Sequence, residues 1–385
     1  MNSDEFRRSL VAWLDDNDAP LRLTGGQPPS VTPDLDDELA QFRHVKQALF
    51  DAGWGRYGWA PEVGGLGGSP MFRAIVGEEI ASRDLAEPGL WSMIEVLAPT
   101  VIAFGSPELI ATMVPPLLRG DETWCQGFSE PSTGSDLASL TCKATIVDGG
   151  FRVSGQKVWT SYAQVAQRCI LLTRTGEPGS AHRGITALFV DMDSPGLTFR
   201  PIEIQSGALE FCEVFYDDVF VPESRLLGSV GQGWQVAMDI LPYERSTSFW
   251  HRGAFLHHRM DQMVAAAAAH DGQVNDHEAH VLGEAYQAVM AFRCRSLHTQ
   301  HRVSDGEQLG AETSVDKILT AIAEQTLFDA ARDVLPGVLE FGTDADAARW
   351  RREFMYSRAA TIYGGTSEIQ RNIVARRLLN MGVEA

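Results

Sequence analysis

The stretch from Trp124 to Ser161 reads WCQGFSEPSTGSDLASLTCKATIVDGGFRVSGQKVWTS, and it decides the fold. Its first part places serine, threonine, glycine and aspartate residues around Pro131, between Ser129 and Asp136. Proline removes a backbone donor, and glycine and serine favour turns, so this part is neither a helix nor a central strand. Such a loop can direct backbone N–H groups and hydroxyls at a bound polar ligand, although a short motif of this kind on its own is also typical of a solvated turn.

The end of the same stretch favours a ligand site over a solvated turn. Here Val158-Trp159-Thr160-Ser161 places a large flat aromatic side chain beside two hydroxyls. These residues follow directly on a Gly-Gln-Lys turn, and the alternating pattern before them predicts that they close a β-strand. The two features together indicate a functional loop.

Together the two motifs resemble the acyl-CoA dehydrogenase family. In that family a T/S-E-P-x-x-G-S-D loop and a K-x-W-x-T/S strand end hold the isoalloxazine and ribityl parts of FAD. The resemblance implies that Phe128 and Ser129 lie at the pyrimidine edge of the flavin, and that Ser135 also touches the acyl-CoA. The residues that it implies for cofactor binding are Gln126, Phe128, Ser129, Gly134, Ser135, Trp159, Thr160, Ser161, Thr366 and Glu368.

Composition narrows the function classes. The chain has 385 residues, 44% of them hydrophobic and 22% charged, as expected for a soluble globular protein of two or three domains. A net charge of −19 argues against nucleic acid and against an anionic membrane surface as partners. No apolar run reaches the length of a membrane span and no signal peptide is evident, so we expect no membrane insertion.

The cysteines indicate a reducing compartment. Their number is 5, their spacing is wide and no C-x-x-C occurs, which fits neither a disulfide scaffold nor a zinc site. We therefore expect a cytoplasmic protein that binds no structural metal.

Hydrophobic periodicity divides the chain into three predicted domains, residues 1–120, 121–230 and 231–385. The first is mainly helical and begins with a helix that Ser3 can cap. The second consists of short alternating runs, which predict an antiparallel β-barrel or sandwich. The third reads as four long amphipathic helices, typical of a bundle. The predicted fold class is α+β, with the three-domain arrangement of the acyl-CoA dehydrogenases.

The pattern also predicts individual elements. Helices are expected over residues 38–52, 71–83, 91–104, 233–268, 276–302, 310–335 and from 345 to the end. Strands are expected over residues 143–147, 151–159, 169–174, 185–191, 197–202 and 210–220, with a hairpin turn at Asp148-Gly149. A polar connection rich in proline and glycine is expected over residues 25–33.

The activity implied by the resemblance is the dehydrogenation of an acyl thioester between Cα and Cβ. It needs a base for the α-proton, an acceptor for hydride and donors for the enolate-like oxygen. No side chain accepts hydride, so FAD would do so. In the family, the base most often lies in a Tyr-Glu-Gly-Thr-Ser loop before the last helix. This chain reads Tyr363-Gly364-Gly365-Thr366-Ser367 there, and the carboxylate is missing at Gly364.

A second base position is known in the family. In isovaleryl-CoA dehydrogenase a Leu-x-x-Glu-Arg motif on a bundle helix supplies the base, and this chain has Leu241-Pro242-Tyr243-Glu244-Arg245. Glu244 is therefore the predicted catalytic base, although an isolated Glu-Arg pair would normally be a solvated helix surface. Tyr243 and Arg245 are predicted to contact the substrate. Gly364 keeps a backbone N–H that can donate to the thioester oxygen.

Two departures from the family pattern leave the assembly open. In homotetrameric relatives an R-x-x-F-G segment and a Q-x-x-G-G-x-G segment of a neighbouring subunit hold the adenosine half of FAD, and neither occurs here. The second should lie near residues 332–342, which read RDVLPGVLEFG. Similar losses occur in bacterial acyl-CoA dehydrogenases that assemble as two-plus-two heteromers, often on steroid thioesters.

Three functions therefore stand as alternatives. The chain is a flavoenzyme that oxidises an acyl-CoA to its 2-enoyl form, a non-catalytic or half-site partner subunit of such an enzyme, or an oxygen-using oxidase on the same fold. The expected partners are an acyl-CoA, an electron-transfer flavoprotein or similar acceptor, and further subunits of a homo- or hetero-oligomer. The acyl group itself is not defined by the sequence.

Overall fold

The computed structural model describes residues 1–23, 34–177, 179–245, 247–269, 274–335 and 337–382. The polar connection predicted over residues 25–33 lies outside the described residues. No helix within the described ranges is long and apolar enough to cross a bilayer.

The N-terminal part is helical, as the periodicity predicts. Asn2, and not Ser3, caps the first helix, because Ser3 is already its first residue; the Asn2 side chain accepts the Glu5 N–H while the Glu5 carboxylate accepts the Asn2 N–H. Proline stands at the first position of the fourth and fifth helices, where no donor is lost. The helices are α1 (Ser3–Asn17), α2 (Leu35–Asp51), α3 (Met71–Ser82), α4 (Pro88–Phe104) and α5 (Pro107–Arg119).

The middle part is a single sheet of eight strands in the order β6-β7-β3-β2-β4-β5-β8, with β1 paired to β4. Its pairings are antiparallel except for β1 with β4 and one residue pair between β2 and β4. Gly149, with φ +75°, closes the β2–β3 hairpin at the predicted turn. The strands are β1 (Trp124–Gly127), β2 (Lys143–Val147), β3 (Gly150–Ser161), β4 (Arg168–Arg174), β5 (Ile185–Asp191), β6 (Leu197–Ile202), β7 (Phe211–Pro222) and β8 (Leu226–Leu227).

The C-terminal part is a helical bundle whose first predicted helix is in fact two. The break after Glu244 follows Pro242, which lacks the N–H needed for a hydrogen bond in the last turn and so weakens the helix there. A second break separates the last two helices and carries the Gly364-Gly365 loop. The helices are α6 (Gly233–Glu244), α7 (Thr247–Ala269), α8 (Asp276–Ser304), α9 (Thr313–Val334), α10 (Ala345–Ser357) and α11 (Ser367–Ile373), which continues into a π-helical turn (Val374–Leu378).

Three apolar cores hold these parts together. One lies inside the curled sheet, where side chains of β3, β4, β5 and β7 meet. A second lies between α7, α8, α9 and α10, and includes Phe255, Phe292, Phe328 and Trp350. The largest joins the N-terminal helices to β1, β4, β5 and α6. Because this core is shared between the helical and sheet parts, α6 packs against α4 and β5, and the Glu244 side chain at its end reaches Gln126 of β1.

A close contact between α3 and α7 offers a test of this packing. A Cβ added at Gly77 would overlap the ring of His251, which is fully buried. We expect Gly77→Ala to lower the free energy of unfolding by about 2 kcal/mol, because an overpacked interior must shift. The control is Gly283→Ala on α8, where a Cβ meets nothing within 4 Å; it should raise stability by about 0.5–1 kcal/mol. Urea unfolding measures both, and equal effects would contradict the packing described.

Candidate active site

A buried ion pair shapes the loop that follows β1. The Lys157 ammonium lies 2.8 Å from Glu130 Oε1, and the two side chains are 0% and 3% exposed. The Glu130 carboxylate also accepts the backbone N–H groups of Thr141, at 2.7 Å, and Cys142, at 2.8 Å. Burial by itself would raise the pKa of Glu130, but the Lys157 charge and these hydrogen bonds hold that pKa below its usual range. The carboxylate is therefore ionised and fully partnered.

The same lysine ties the loop to the end of β3. Lys157 Nζ donates to the Phe128 carbonyl at 3.0 Å, and the Val158 N–H donates to the Ser129 carbonyl at 3.0 Å. The loop residues Phe128 and Ser129 therefore run beside the strand end that carries Trp159. The structure thus joins the two sequence motifs into one site.

Trp159 itself has a strained backbone. Its φ is +58°, a value that bulky residues rarely adopt, and the pairing of β3 with β7 shifts register between Lys157 and Thr160. The bulge leaves the Trp159 ring 56% exposed, with Phe211 edge-on to it at 6.0 Å. Strain of this kind persists only where the surrounding structure imposes it, and it is frequent at ligand sites.

The site contains polar atoms that lack partners within the described chain. Gln126 Oε1, Thr133 Oγ1 and Thr160 Oγ1 are buried, and none of them has a hydrogen-bond partner there. A Cβ built at Gly134 would meet nothing within 4 Å, so the backbone is open to a ligand at that point. Unsatisfied groups beside an exposed aromatic ring fit a planar cofactor with hydrogen-bonding edges, and FAD has that chemistry.

The two alternative positions for a base meet in space. A Cβ built on Gly364 would lie 3.2 Å from Glu244 Oε1, although the two residues are on different elements and 120 positions apart. The Gln126 side-chain amide donates to Glu244 Oε2 at 3.4 Å. Gly364 has φ +61°, which favours glycine there. The carboxylate at the end of α6 thus lies in contact distance of the point where a side chain at residue 364 would begin.

Arg245 and Gln370 fasten the loop that carries Gly364. Arg245 Nε donates to the Gly364 carbonyl at 3.4 Å, and Gln370 Nε2 donates to the same carbonyl at 2.9 Å. Burial lowers the pKa of the Arg245 guanidinium, and the Glu244 charge opposes this shift. The loop is therefore held from α6 and from α11 at once.

Lys317 of α9 is a member of the site that the sequence did not reveal. Its ammonium donates to the Ala360 carbonyl and lies 4.4 Å from the ring centre of Tyr363, while its Cε would be 3.2 Å from a Cβ at Gly364. Burial lowers the pKa of Lys317 to about 8, against the opposing charges of Glu324 and Glu244. The sequence did contain one sign of its role: Lys317 falls on the buried face of an amphipathic helix.

Comparison with known proteins identifies the family of the chain. Family models match it in three consecutive segments: the acyl-CoA dehydrogenase N-terminal domain over residues 30–121, the middle domain over 125–219 and the C-terminal domain over 231–379. The chain belongs to the acyl-CoA dehydrogenase family. Members of this family are flavoprotein oxidoreductases that dehydrogenate acyl-CoA. The predicted fold class, α+β with helical, sheet and helical parts, is confirmed.

Individual relatives cover the whole chain. It is 36% identical to acyl-CoA dehydrogenase IpdE1 of Mycobacterium tuberculosis (strain ATCC 25618 / H37Rv), over 99% of this chain and 98% of that protein. Among solved structures it is similar to the Tcur3481-Tcur3483 steroid ACAD (TM-score 0.84, 26% identity, 99% of this chain and 98% of that one). It is also similar to the ChsE4-ChsE5 complex of Mycobacterium tuberculosis (TM-score 0.81, 25% identity, 99% and 98% covered).

Within this acyl-CoA dehydrogenase fold, the structure connects only some of the predicted site residues directly. Hydrogen bonds join Gln126 to Glu244 and Arg245 to the Gly364 carbonyl. Thr366 accepts the Ile369 N–H at 3.3 Å as the cap of α11, so its polar contacts among described residues stay within that helix. The others retain their predicted roles as predictions: Phe128 is buried, Ser129, Ser161 and Tyr243 are half-buried, and Gly134, Ser135 and Glu368 are exposed.

The Glu130–Lys157 pair predicts an acid-dependent loss of stability. A carboxylate whose pKa is lowered by folding stabilises the fold above its unfolded pKa of about 4.3, and this contribution is lost as pH falls through the folded pKa. At pH 7, Glu130→Gln should lower the free energy of unfolding by about 3 kcal/mol, because the Lys157 charge is left buried and unpaired.

That deficit should shrink as the pH is lowered from 5 to 3.5 in urea unfolding of the two proteins. The matched control is Asp218→Asn, which breaks the ion pair with Arg152 at the surface and should change stability by less than about 1 kcal/mol. A deficit for Glu130→Gln that stays constant down to pH 3.5 would show that the carboxylate charge is not the cause.

Proposed function

We propose that the chain catalyses the FAD-dependent α,β-dehydrogenation of an acyl-CoA to its 2-enoyl-CoA, with Glu244 as the base for the α-proton. The observation that carries the proposal is the position of the Glu244 carboxylate, 3.2 Å from the point where a side chain at Gly364 would begin. The family's commonest base would start from that point. The Glu244 carboxylate comes from α6 and not from the Gly364 loop, but it lies close to the same point.

The residues around Glu244 support this role. The Gln126 amide orients one carboxylate oxygen, and Arg245 and Lys317 place positive charge beside it. The Gly364 N–H donates no hydrogen bond to a described residue, so it is available for the thioester oxygen as negative charge develops there. Glu244 then takes the α-proton of the bound thioester.

FAD, when bound, would supply the hydride acceptor for the β-carbon. Gln126, Thr160, Trp159 and the loop from Phe128 to Ser135 would hold it, with Gln126 and Thr160 offering the unsatisfied atoms described above. Because Gln126 also touches Glu244, the same amide would connect the cofactor site to the base. The strained Trp159 ring would cover one side of the site and limit access of water.

A half-site partner subunit is the second candidate function. The family's two segments for the adenosine half of FAD are absent from the sequence, and two of the similar solved structures, Tcur3481-Tcur3483 and the ChsE4-ChsE5 complex, have two named components. The segment where one of them should lie ends in a π-helical turn, Gly337–Phe341, whose Phe341 side chain is 77% exposed. A single exposed ring is common on protein surfaces, so this candidate rests on the absent segments and on those two-component structures.

We further propose that the enzyme passes electrons to an electron-transfer flavoprotein or similar acceptor and acts in the cytoplasm. The cysteines of the described chain are free thiols, which suits a reducing compartment. The similarity to the Tcur3481-Tcur3483 steroid ACAD agrees with a bulky acyl group.

Replacement of Glu244 tests the base. Glu244→Gln should lower the rate of anaerobic flavin bleaching by an acyl-CoA about 10³-fold, because a positioned general base contributes roughly 10²–10⁴-fold. The visible spectrum of the bound flavin should be unchanged. Glu284→Gln, an exposed position on α8, is the control and should bleach at the wild-type rate. Bleaching that persists in Glu244→Gln would remove this carboxylate from the mechanism.

Purification of the chain alone separates the two candidate functions. A complete catalytic site should give a yellow protein with the absorption bands of a flavin, which a panel of acyl-CoA thioesters bleaches without oxygen. A colourless chain that becomes yellow and active only when mixed with a second acyl-CoA dehydrogenase subunit would favour the half-site reading. Gel filtration with and without that subunit measures the assembly directly.

A further inference from the structure

Lys317 of α9 is a buried cation beneath the Gly364 loop. Its side chain is 1% exposed, so water does not screen its charge. The ammonium donates to the Ala360 carbonyl and lies 4.4 Å from the ring centre of Tyr363. Both partners belong to the turn that leads to Gly364, and both are neutral. Among the described residues no carboxylate pairs with this ammonium in direct contact.

The Lys317 side chain and the Glu244 carboxylate approach the same point from two helices. A Cβ built on Gly364 lies 3.2 Å from Lys317 Cε and 3.2 Å from Glu244 Oε1. The two atoms are therefore separated by no more than twice that distance. These two side chains also supply the heavy atoms nearest to that point within the described chain. Opposite charges this close interact strongly where little water lies around them.

The electrostatic interaction between the two groups is mutual. Burial lowers the pKa of Lys317 to about 8, and the charges of Glu324 and Glu244 act in the opposite direction. Coupling between two binding sites, here for protons, is reciprocal. The ammonium therefore favours the ionised form of Glu244 by the same free energy with which Glu244 favours the ammonium. A carboxylate must be ionised to act as a general base.

The other charged groups near the pair already have partners. From α6, Arg245 donates to the Gly364 carbonyl at 3.4 Å and is predicted to contact the substrate. From the loop, the Tyr363 hydroxyl donates to Glu324 of α9 at 3.1 Å. The ion pairs on α9 and the helices packed against it are Arg252 with Glu324 (2.6 Å) and Glu353 (2.9 Å), Arg295 with Asp316 (2.6 Å), Arg358 with Asp329 (3.0 Å) and Arg371 with Glu368 (3.9 Å).

We propose that Lys317 is a positioning residue whose charge keeps Glu244 ionised when the acyl-CoA is bound. The inference rests on the proposed function, because it concerns the same base. Glu244 is half-buried, and an apolar acyl group beside it would displace water and disfavour the charged carboxylate. The Lys317 ammonium lies inside the protein, so substrate binding leaves it in place. Its charge opposes the effect of the lost water.

The test is the pH dependence of anaerobic flavin bleaching by a saturating acyl-CoA. Lys317→Met removes the charge and keeps a side chain of similar length. The acid limb of its pH–rate profile should move up by about one pH unit, so that at a fixed pH on that limb bleaching is roughly 10-fold slower than in wild type. Above pH 9 the two rates should converge, because Lys317 has then lost its own proton and Glu244 is ionised in both proteins.

Matched variants separate the charge of Lys317 from its contact with the loop. Lys317→Arg keeps the charge and should keep the acid limb in place. Lys46→Met removes another buried ammonium, 2% exposed on α2, whose charge acts on Glu95 and Arg73; it should also leave the limb in place.

Two outcomes overturn the proposal. The first is a rate for Lys317→Met that is lower by the same factor at every pH, which would show that the lysine only holds the loop. The second is an acid limb that stays where it is in wild type. If Lys317→Met does not fold, Lys317→Gln replaces it in the same measurement.

A second readout is independent of turnover. Infrared difference spectra between acid and neutral pH report the protonation of Glu244, whose band is assigned by its absence in Glu244→Gln. The band should appear at a pH about one unit higher in Lys317→Met than in wild type.

The two readouts distinguish the two proposals. If this protonation shifts as expected but wild-type protein dehydrogenates no acyl-CoA, the proposed function fails and the coupling of Lys317 to Glu244 stands. If wild-type protein dehydrogenates acyl-CoA through Glu244 and the protonation does not shift, the function stands and the coupling fails.

Discussion

The buried ion pair between Lys157 and Glu130 is the constraint on which the rest of the site depends. The two residues are 27 positions apart, and both are removed from water. Separating the two charges would leave each of them buried and unpaired, and that cost keeps the two side chains together. The pair therefore fixes the loop after β1 against the end of β3. The strained Trp159 takes its position beside that attachment, while Gln126, which contacts the base, is held by the pairing of β1 with β4.

The position of the base follows from a break in a helix. Pro242 weakens the last turn of α6, and the shared core holds α6 against α4 and β5. Glu244 consequently lies at a helix end beside the Gly364 loop and not along a continuous helix surface. Arg245 links α6 to the loop, because its guanidinium donates a hydrogen bond to the Gly364 carbonyl. In this fold a carboxylate can therefore come from the end of α6 or from the Gly364 loop and act at the same place.

Local pattern was sufficient for much of the fold. The bounds of three strands, Lys143–Val147, Ile185–Asp191 and Leu197–Ile202, agree with those predicted from alternation and turn residues. Helix ends were less predictable, because the first one depends on two hydrogen bonds between Asn2 and Glu5 and the end of α6 follows the single N–H that Pro242 lacks. The short strand β1 was missed, since its alternation is too brief to detect. Contacts between distant parts of the chain are not encoded by local periodicity. Examples are Lys157 with Glu130, and Lys317 with the Gly364 loop.

The buried network of Arg252, Glu324 and Glu353 is difficult to explain as a stabilising device. Buried ion pairs lose hydration free energy that their mutual attraction scarcely recovers, and apolar residues of similar volume often serve stability equally well. Arg252, Glu324 and Glu353 nevertheless stand at the edge of a bundle whose core is otherwise aromatic and aliphatic. Glu324 even keeps one oxygen without a partner among the described residues. What the network does provide is a fixed position: Glu324 accepts the Tyr363 hydroxyl, and because Tyr363 immediately precedes Gly364, this bond holds the Gly364 loop against α9.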